Sequence, residues 1–226
     1  MFDSFYNAVK GERWTWYFDG LGKTLLISLG AIIIGCFLGI IVSLIKYTNK
    51  KYGKLKVASY ICDGYLAIFR GTPVYVQLLI MYLIVLIAVP SIWVAILTFG
   101  INSGAYVAEI IRGGLESVDD GQLEAGNSLG LTNFQVLVSI VLPQAVRRAL
   151  PPFCNEFIAL IKETSIVSMV GMFDLTMAAK IIGSGNNMAS YIVPMAVVAL
   201  FYLGIVYLLT FAIKMIERRL RASDKR

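Results

Sequence analysis

At 226 residues, with 58% hydrophobic and only 15% charged residues, the chain is more apolar than a soluble domain, which carries about 25% charged residues and no uncharged apolar run of 20 or more. Such runs are present here, so the composition excludes an ordinary soluble domain and points to an integral membrane protein. The net charge is +6 and histidine is absent, which removes the commonest general base, the Ser-His triad and histidine-based metal sites.

The first 20 residues hold Asp3, Lys10, Glu12, Arg13 and Asp19, with no apolar core before Leu21, and do not read as a cleavable signal. Trp14, Trp16, Tyr17 and Phe18 read as an interfacial belt. Residues 24–45 are uncharged between Lys23 and Lys46, long enough to cross a hydrocarbon core of about 30 Å. Within them Gly35 and Gly39 form a small-xxx-small pair, either a close-approach face for another helix or incidental spacing. Gly22-Lys23-Thr24 fails as a phosphate loop: the glycine required five residues earlier is Tyr17, and the triplet leads into a span.

Lys46, Lys50, Lys51, Lys54 and Lys56 follow the first span, and Lys214, Arg218, Arg219, Arg221, Lys225 and Arg226 gather at the end. Positive residues collect on the cytoplasmic side, so both clusters are placed inside. A basic tail also suits nucleic acid, but this one directly follows an apolar span. Asp63 and Arg70 interrupt 55–70, which reads as a half-helix at the cytoplasmic face, and Gly71-Thr72-Pro73 breaks it. The uncharged run that follows is divided by Pro90-Ser91 into spans 73–89 and 92–111.

Residues 112–152 form a cytoplasmic island, and 191–213 is clearly one crossing. Island and tail are both inside, so 153–172, despite Glu156, Lys162 and Glu163, must be a crossing too. The expectation is an all-α protein of five spans in a single transmembrane domain, amino terminus out and carboxyl terminus in. Residues 174–190 are then an outer loop around Gly183-Ser184-Gly185-Asn186-Asn187. Cys36, Cys62 and Cys154 fit no disulfide or zinc spacing and read as small apolar packing residues.

The island begins at Asp119-Asp120-Gly121 and turns helical from about Gln122. Ala125 and Gly126 are small enough for a partner to approach the backbone, and Leu123, Leu129, Leu131 and Phe134 offer apolar contacts. Gly130 can end the helix in a left-handed conformation, and Pro143 resets the chain before the next span. The island is either a docking element or a loop packed on its own protein.

The spacing Glu124-Ala125-Gly126-x3-Gly130-x9-Ile140-x-Leu142-Pro143 resembles the EAA motif of permease subunits in ATP-binding-cassette importers, with Gly126 where alanine is usual. Arg70-Gly71-Thr72-Pro73 with Gln77, Leu150-Pro151-Pro152 and Lys162-Glu163-Thr164-Ser165 look like signatures of the polar amino acid branch, the histidine, glutamine and arginine uptake systems. The resemblance implies a type I importer permease architecture in the bacterial cytoplasmic membrane. It implies no catalysis and no cofactor in this chain, with ATP and Mg on a partner ATPase dimer. That dimer would be gripped through Glu124, Ala125, Gly126, Leu129 and Gly130. It also implies a second permease copy or similar partner, and an external solute-binding protein.

For the solute, Asn102, Ser103, Tyr106 and Glu109 lie along one helix face of span three, and Asn155 and Glu163 along one of span four. A charge at mid-membrane costs about 2.5–3.5 kcal/mol, so Glu163 faces either a cavity or a neutralising partner such as Lys162. Glu109 is spaced to pair with Arg112. The acid at 163 favours arginine, lysine or histidine over glutamine, glutamate or cystine. An ATP-independent transporter or channel would not need the island. A membrane enzyme has no clustered residues here from which to build a reaction centre.

Overall fold

The computed structural model describes residues 10–184 and 188–223, all of whose regular elements are helical. We label them α1 (Arg13–Tyr52), α2 (Lys56–Gly71), α3 (Val74–Val85), α4 (Ser91–Glu116), α5 (Asp120–Ser128), α6 (Asn133–Val170), α7 (Leu175–Ile182) and α8 (Met188–Ser223). Three of them, in α1, α4 and α8, are long and apolar enough to cross a membrane by themselves. Taking α2 with α3, and α6 with α7, as broken spans gives up to five.

The sequence sets the ends of these helices. Lys50 and Lys51 occupy the last turn of α1, where cations complement the carboxyl-terminal dipole. Gly53, at φ +65°, then stops it, its N–H donating to the Asn49 carbonyl at 2.9 Å. Between α2 and α3 the residue before Pro73 is driven out of the helical region: Thr72 is extended at φ −122°. α3 ends in a π turn, Met81–Val85. Pro143 does not reset the chain as its sequence context suggests. It lies inside α6, directly after a second π turn, Leu137–Val141, which widens the helix where a regular turn would press the ring onto the Ser139 carbonyl. Pro151 and Pro152 also lie within α6, so the helix that enters 153–172 has already run from Asn133.

The chain divides into two compact units, each assembled from three stretches, so neither is separable in sequence. The first holds residues 1–33, 73–100 and 157–212. Its core is Tyr17, Leu175, Ala178, Ala179, Val197 and Val198, with Phe201 stacked on Tyr17 at 5.9 Å. Trp14, Trp16 and Phe18 are exposed as an interfacial belt requires, but Tyr17 is fully buried, because its position on α1 faces α7 and α8. The segment expected to be loop from Asp174 begins instead as α7. The Asp174 carboxylate accepts the N–H groups of Thr176 at 3.0 Å and Met177 at 2.7 Å, a complete amino-terminal cap. A Cβ on Gly20 would stand 2.7 Å from the Asp174 carbonyl oxygen, so α1 and this cap meet backbone to backbone. The Gly185-Asn186-Asn187 portion of the expected turn lies outside the described residues, as do residues 1–9 and 224–226.

The second unit holds residues 34–72, 101–156 and 213–226. Here the glycine pair of α1 has its reason. A Cβ on Gly35 would lie 3.2 Å from Ser103, and one on Gly39 would lie 2.6 Å from Val107, so α4 packs where α1 has no side chains. Val42, Cys62, Leu66, Ala105 and Ala108 fill the rest of this contact. Close packing of this kind holds helices together where the surroundings are as apolar as the side chains. The most apolar 18-residue window of α4 is 67% buried and that of α8 only 17%, so α4 is an interior helix and α8 presents most of its apolar surface outward.

A polar face on α4 and an exposed helical turn

Within the second unit, the polar face of α4 is met from two sides. Asn102 is buried, and its amide donates to the Phe69 carbonyl at the end of α2 at 3.0 Å. Ser103 is fully buried, and its hydroxyl donates to the Glu156 carboxylate of α6 at 2.8 Å. Tyr65 donates from its phenol to the Ile101 carbonyl at 2.6 Å, beside Gly104, where a Cβ would come within 2.7 Å of the phenol oxygen. Tyr106 is more exposed, one turn beyond Asn102, with the Arg70 guanidinium 5.8 Å from its ring centroid. Glu109 pairs with Arg112 at 2.7 Å, as their spacing suggests, and lies 3.6 Å from Arg70. Arg112 also bonds Glu116, and Lys50 reaches Glu116 at 2.9 Å. Lys46 pairs with Asp63. These ion pairs tie α1, α2 and α4 together where the basic cluster follows the first span.

Of the residues singled out in the sequence, Asn102, Ser103 and Tyr106 therefore share one helix in the second unit. Asn155 belongs to the same unit and is exposed. Glu163 is partly buried and belongs to the first unit, at the last α-helical position before α6 tightens into a 3₁₀ stretch, Thr164–Val170. The residue that sequence reasoning passed over is Glu156. Its signal was its spacing: Glu156 and Glu163 stand seven residues apart on an uninterrupted α-helix, two turns along one stripe, whereas Asn155 sits about 100° round.

The island folds as a helical hairpin. Asp119 caps α5, its carboxylate accepting the Gly121 N–H at 2.7 Å, so the helix begins at Asp120 rather than Gln122. Gly130 takes φ +81°, and two bonds close the end: Leu131 N–H to the Gly126 carbonyl at 3.2 Å, and Gly130 N–H to Asn127 at 3.0 Å. Thr132 and Gln135 then form a reciprocal capping box that starts α6. Gly126 is buried against α6, while Glu124 and Ala125 face outward. Leu123 and Leu131 pack on Val118 and Val136. Leu129 and Phe134 do not, and are 81% and 73% exposed. The hairpin thus presents two large apolar side chains outward beside the exposed Ala125, whereas α6 covers the Gly126 position that the sequence offered to a partner.

Long apolar helices, a buried polar face on α4 and a turn with two exposed apolar side chains fit an integral membrane transport component. The chain belongs to the binding-protein-dependent transport system inner membrane components, whose family model matches residues 31–222. It is a transport subunit and not an enzyme.

Over 210 residues it is 36% identical to the arginine transport system permease protein ArtQ of Bacillus subtilis, covering 91% of this chain and 93% of that one. Over 208 residues it is 35% identical to the glutamine transport system permease protein GlnP of Escherichia coli K12, covering 90% and 92%. Among solved structures, one described as an amino acid ABC transporter with histidines matches with TM-score 0.81 at 35% identity, over 91% of this chain and 94% of that one. An inward-facing form of the MetNI methionine ABC transporter shares the fold at 21% identity, with TM-score 0.76 over 93% and 99%.

Proposed function

We propose that this chain is the permease subunit of an ATP-driven importer in the bacterial cytoplasmic membrane, and that its solute is a basic amino acid: arginine, lysine or histidine. The observation that carries the solute assignment is the Ser103–Glu156 hydrogen bond, which holds a carboxylate against the polar face of α4. Glu163 follows two turns along the same stripe of α6. Acids on a span are retained where they face a cavity or a partner, and a cationic guest suits them. Asn102, Ser103, Tyr106 and Glu156, with Asn155 at the margin, are the residues of the second unit that we assign to solute contact, and Glu163 is assigned to it separately, within the first unit. The relative named for arginine transport supports this reading.

Two permease copies, or this chain and a similar one, pair to form the path, with amino termini outside and carboxyl termini inside. An ATPase dimer, which carries the ATP and Mg, grips the Glu124–Gly130 turn. An external solute-binding protein delivers the amino acid, and ATP switches the pair between inward-open and outward-open states. A second reading, a glutamine carrier of the same type, rests on the several relatives named for glutamine transport.

The test is purification from a native membrane. A copurifying ATPase is expected, with a thermal shift on adding arginine, lysine or histidine. Glu156→Gln and Glu163→Gln should each weaken cationic uptake while the complex still assembles. Unchanged uptake in both would remove the acids from the path. A shift with glutamine alone would favour the second reading.

A further inference from the structure

Among the described residues, the guanidinium of Arg70, at the end of α2, has no hydrogen-bond partner. Its side chain is 42% exposed, and its nearest acidic oxygen, on Glu109, is 3.6 Å away, beyond hydrogen-bond reach. Glu109 is already taken by Arg112, which contacts it at 2.7 Å and twice at 3.3 Å. Arg70 is nevertheless held in place. Its guanidinium stands 5.8 Å from the Tyr106 ring centroid, a cation–π arrangement, and the Phe69 carbonyl just before it is pinned by the Asn102 amide at 3.0 Å. A guanidinium carries five donors in a planar fork that matches a carboxylate two bonds at a time. On the next residue of α4, Ser103 holds the opposite charge, Glu156. Successive positions of one helix therefore anchor an acid and the mooring of a base.

We propose that Arg70 receives the α-carboxylate of the transported amino acid, exchanging its loose contact with Glu109 for a bidentate one with the solute. This rests on the amino acid reading and deepens it. Glu156 sets preference among side chains and ammonium groups, whereas Arg70 makes the site demand an amino acid rather than an amine. Tyr106 keeps the guanidinium flat and oriented between turnovers.

The experiment measures equilibrium binding to the purified permease–ATPase complex without the external binding protein. Its probes are pairs that differ only by the carboxylate: arginine and agmatine, lysine and cadaverine, histidine and histamine, glutamine and 4-aminobutanamide. For the preferred pair, the wild-type complex should bind the acid about 10- to 100-fold more tightly than the amine, the range expected of hydrogen bonds between charged groups. Arg70→Ala should bring the acid to the affinity of the amine and leave the amine unchanged. Arg70→Lys, which keeps the charge without the fork, should recover part of the difference. Arg70→Ala weakening acid and amine alike marks a structural ion pair and overturns the proposal. Equal wild-type binding of acid and amine also overturns it, while leaving the amino acid reading in place. If no member of any pair binds, both fall together.

Discussion

Val136 fills the space that a side chain on Gly126 would need: its Cγ2 lies 2.7 Å from where that Cβ would stand, and Ile140 Cδ1 lies 3.1 Å away. This explains why glycine occupies a position where alanine is usual. A β-branched side chain has little rotameric freedom on a helix, so it cannot swing aside for a methyl group. Gly126→Ala should cost about 1–3 kcal/mol of overpacking. The helix propensity gained, about 1 kcal/mol, offsets part of this. The measurement is transport per ATP hydrolysed in reconstituted vesicles. It should fall in Gly126→Ala and recover in Gly126→Ala/Val136→Ala. Absence of recovery in the double variant would separate this contact from coupling.

Tyr65→Phe removes one donor from the Ile101 carbonyl and leaves the ring tilted against Phe69, whose centroid is 5.1 Å away. The loss should be about 0.5–1.5 kcal/mol, seen as a lower melting temperature of the complex. Gly104→Ala should reproduce it, since the new methyl would stand 2.7 Å from the phenol oxygen. If Gly104→Ala melts as the wild type does, the phenol is not seated as described.

Asp174→Ala leaves two N–H groups at the start of α7 without their acceptor. A lost cap costs about 0.5–2 kcal/mol, and the burial of Asp174 places it at the upper end. Asp174→Asn keeps an acceptor oxygen and should retain most of the stability. Hydrogen exchange at Thr176 and Met177 checks this directly: protection should drop in the alanine variant and survive in the asparagine variant.

Lys50 and Glu116 offer a contrasting case. The Lys50 hydrogen bond, aided by the charge of Arg112, holds the Glu116 carboxyl below the ordinary carboxylate range. A lowered native pKa means that the pair stabilises above the unfolded carboxylate pKa, and that this is lost as pH falls through the lowered value. Both side chains are well exposed. The pair is therefore worth no more than about 1 kcal/mol, and less at high salt. Melting of Glu116→Gln should match the wild type within about that margin at neutral pH, and converge with it on acidification. A growing gap at low pH would contradict the sign.

Helix ends and close approaches were legible because each depends on neighbouring residues. Gly130 offered the left-handed position that closes α5, Pro73 dictated the break after α2, and of the two readings open for Gly35 with Gly39 the close approach of α4 selects the bare helix face. What could not be read depended on partners far along the chain. Tyr17 looks like its aromatic neighbours until α7 and α8 cover it. Asp174 looks like loop chemistry until two N–H groups turn back onto it. Glu156 read only as one more charge within a span because the hydroxyl that fixes it is 53 residues away. Within the docking turn, four apolar side chains had equal claim to face a partner. Only packing against Val118 and Val136 separates the half-buried Leu123 and Leu131 from the outward Leu129 and Phe134.

No loop interrupts α6 between its capping box at Thr132 and Glu156, a rod of about 35 Å at the α-helical rise. A displacement delivered at the hairpin would therefore reach the acid with no loop to take it up. What compliance there is sits in the π turn ahead of Pro143, whose wider ring can tighten or pass a residue along. The stroke length of such a machine would be set less by how far its motor moves than by how much of that travel five residues absorb.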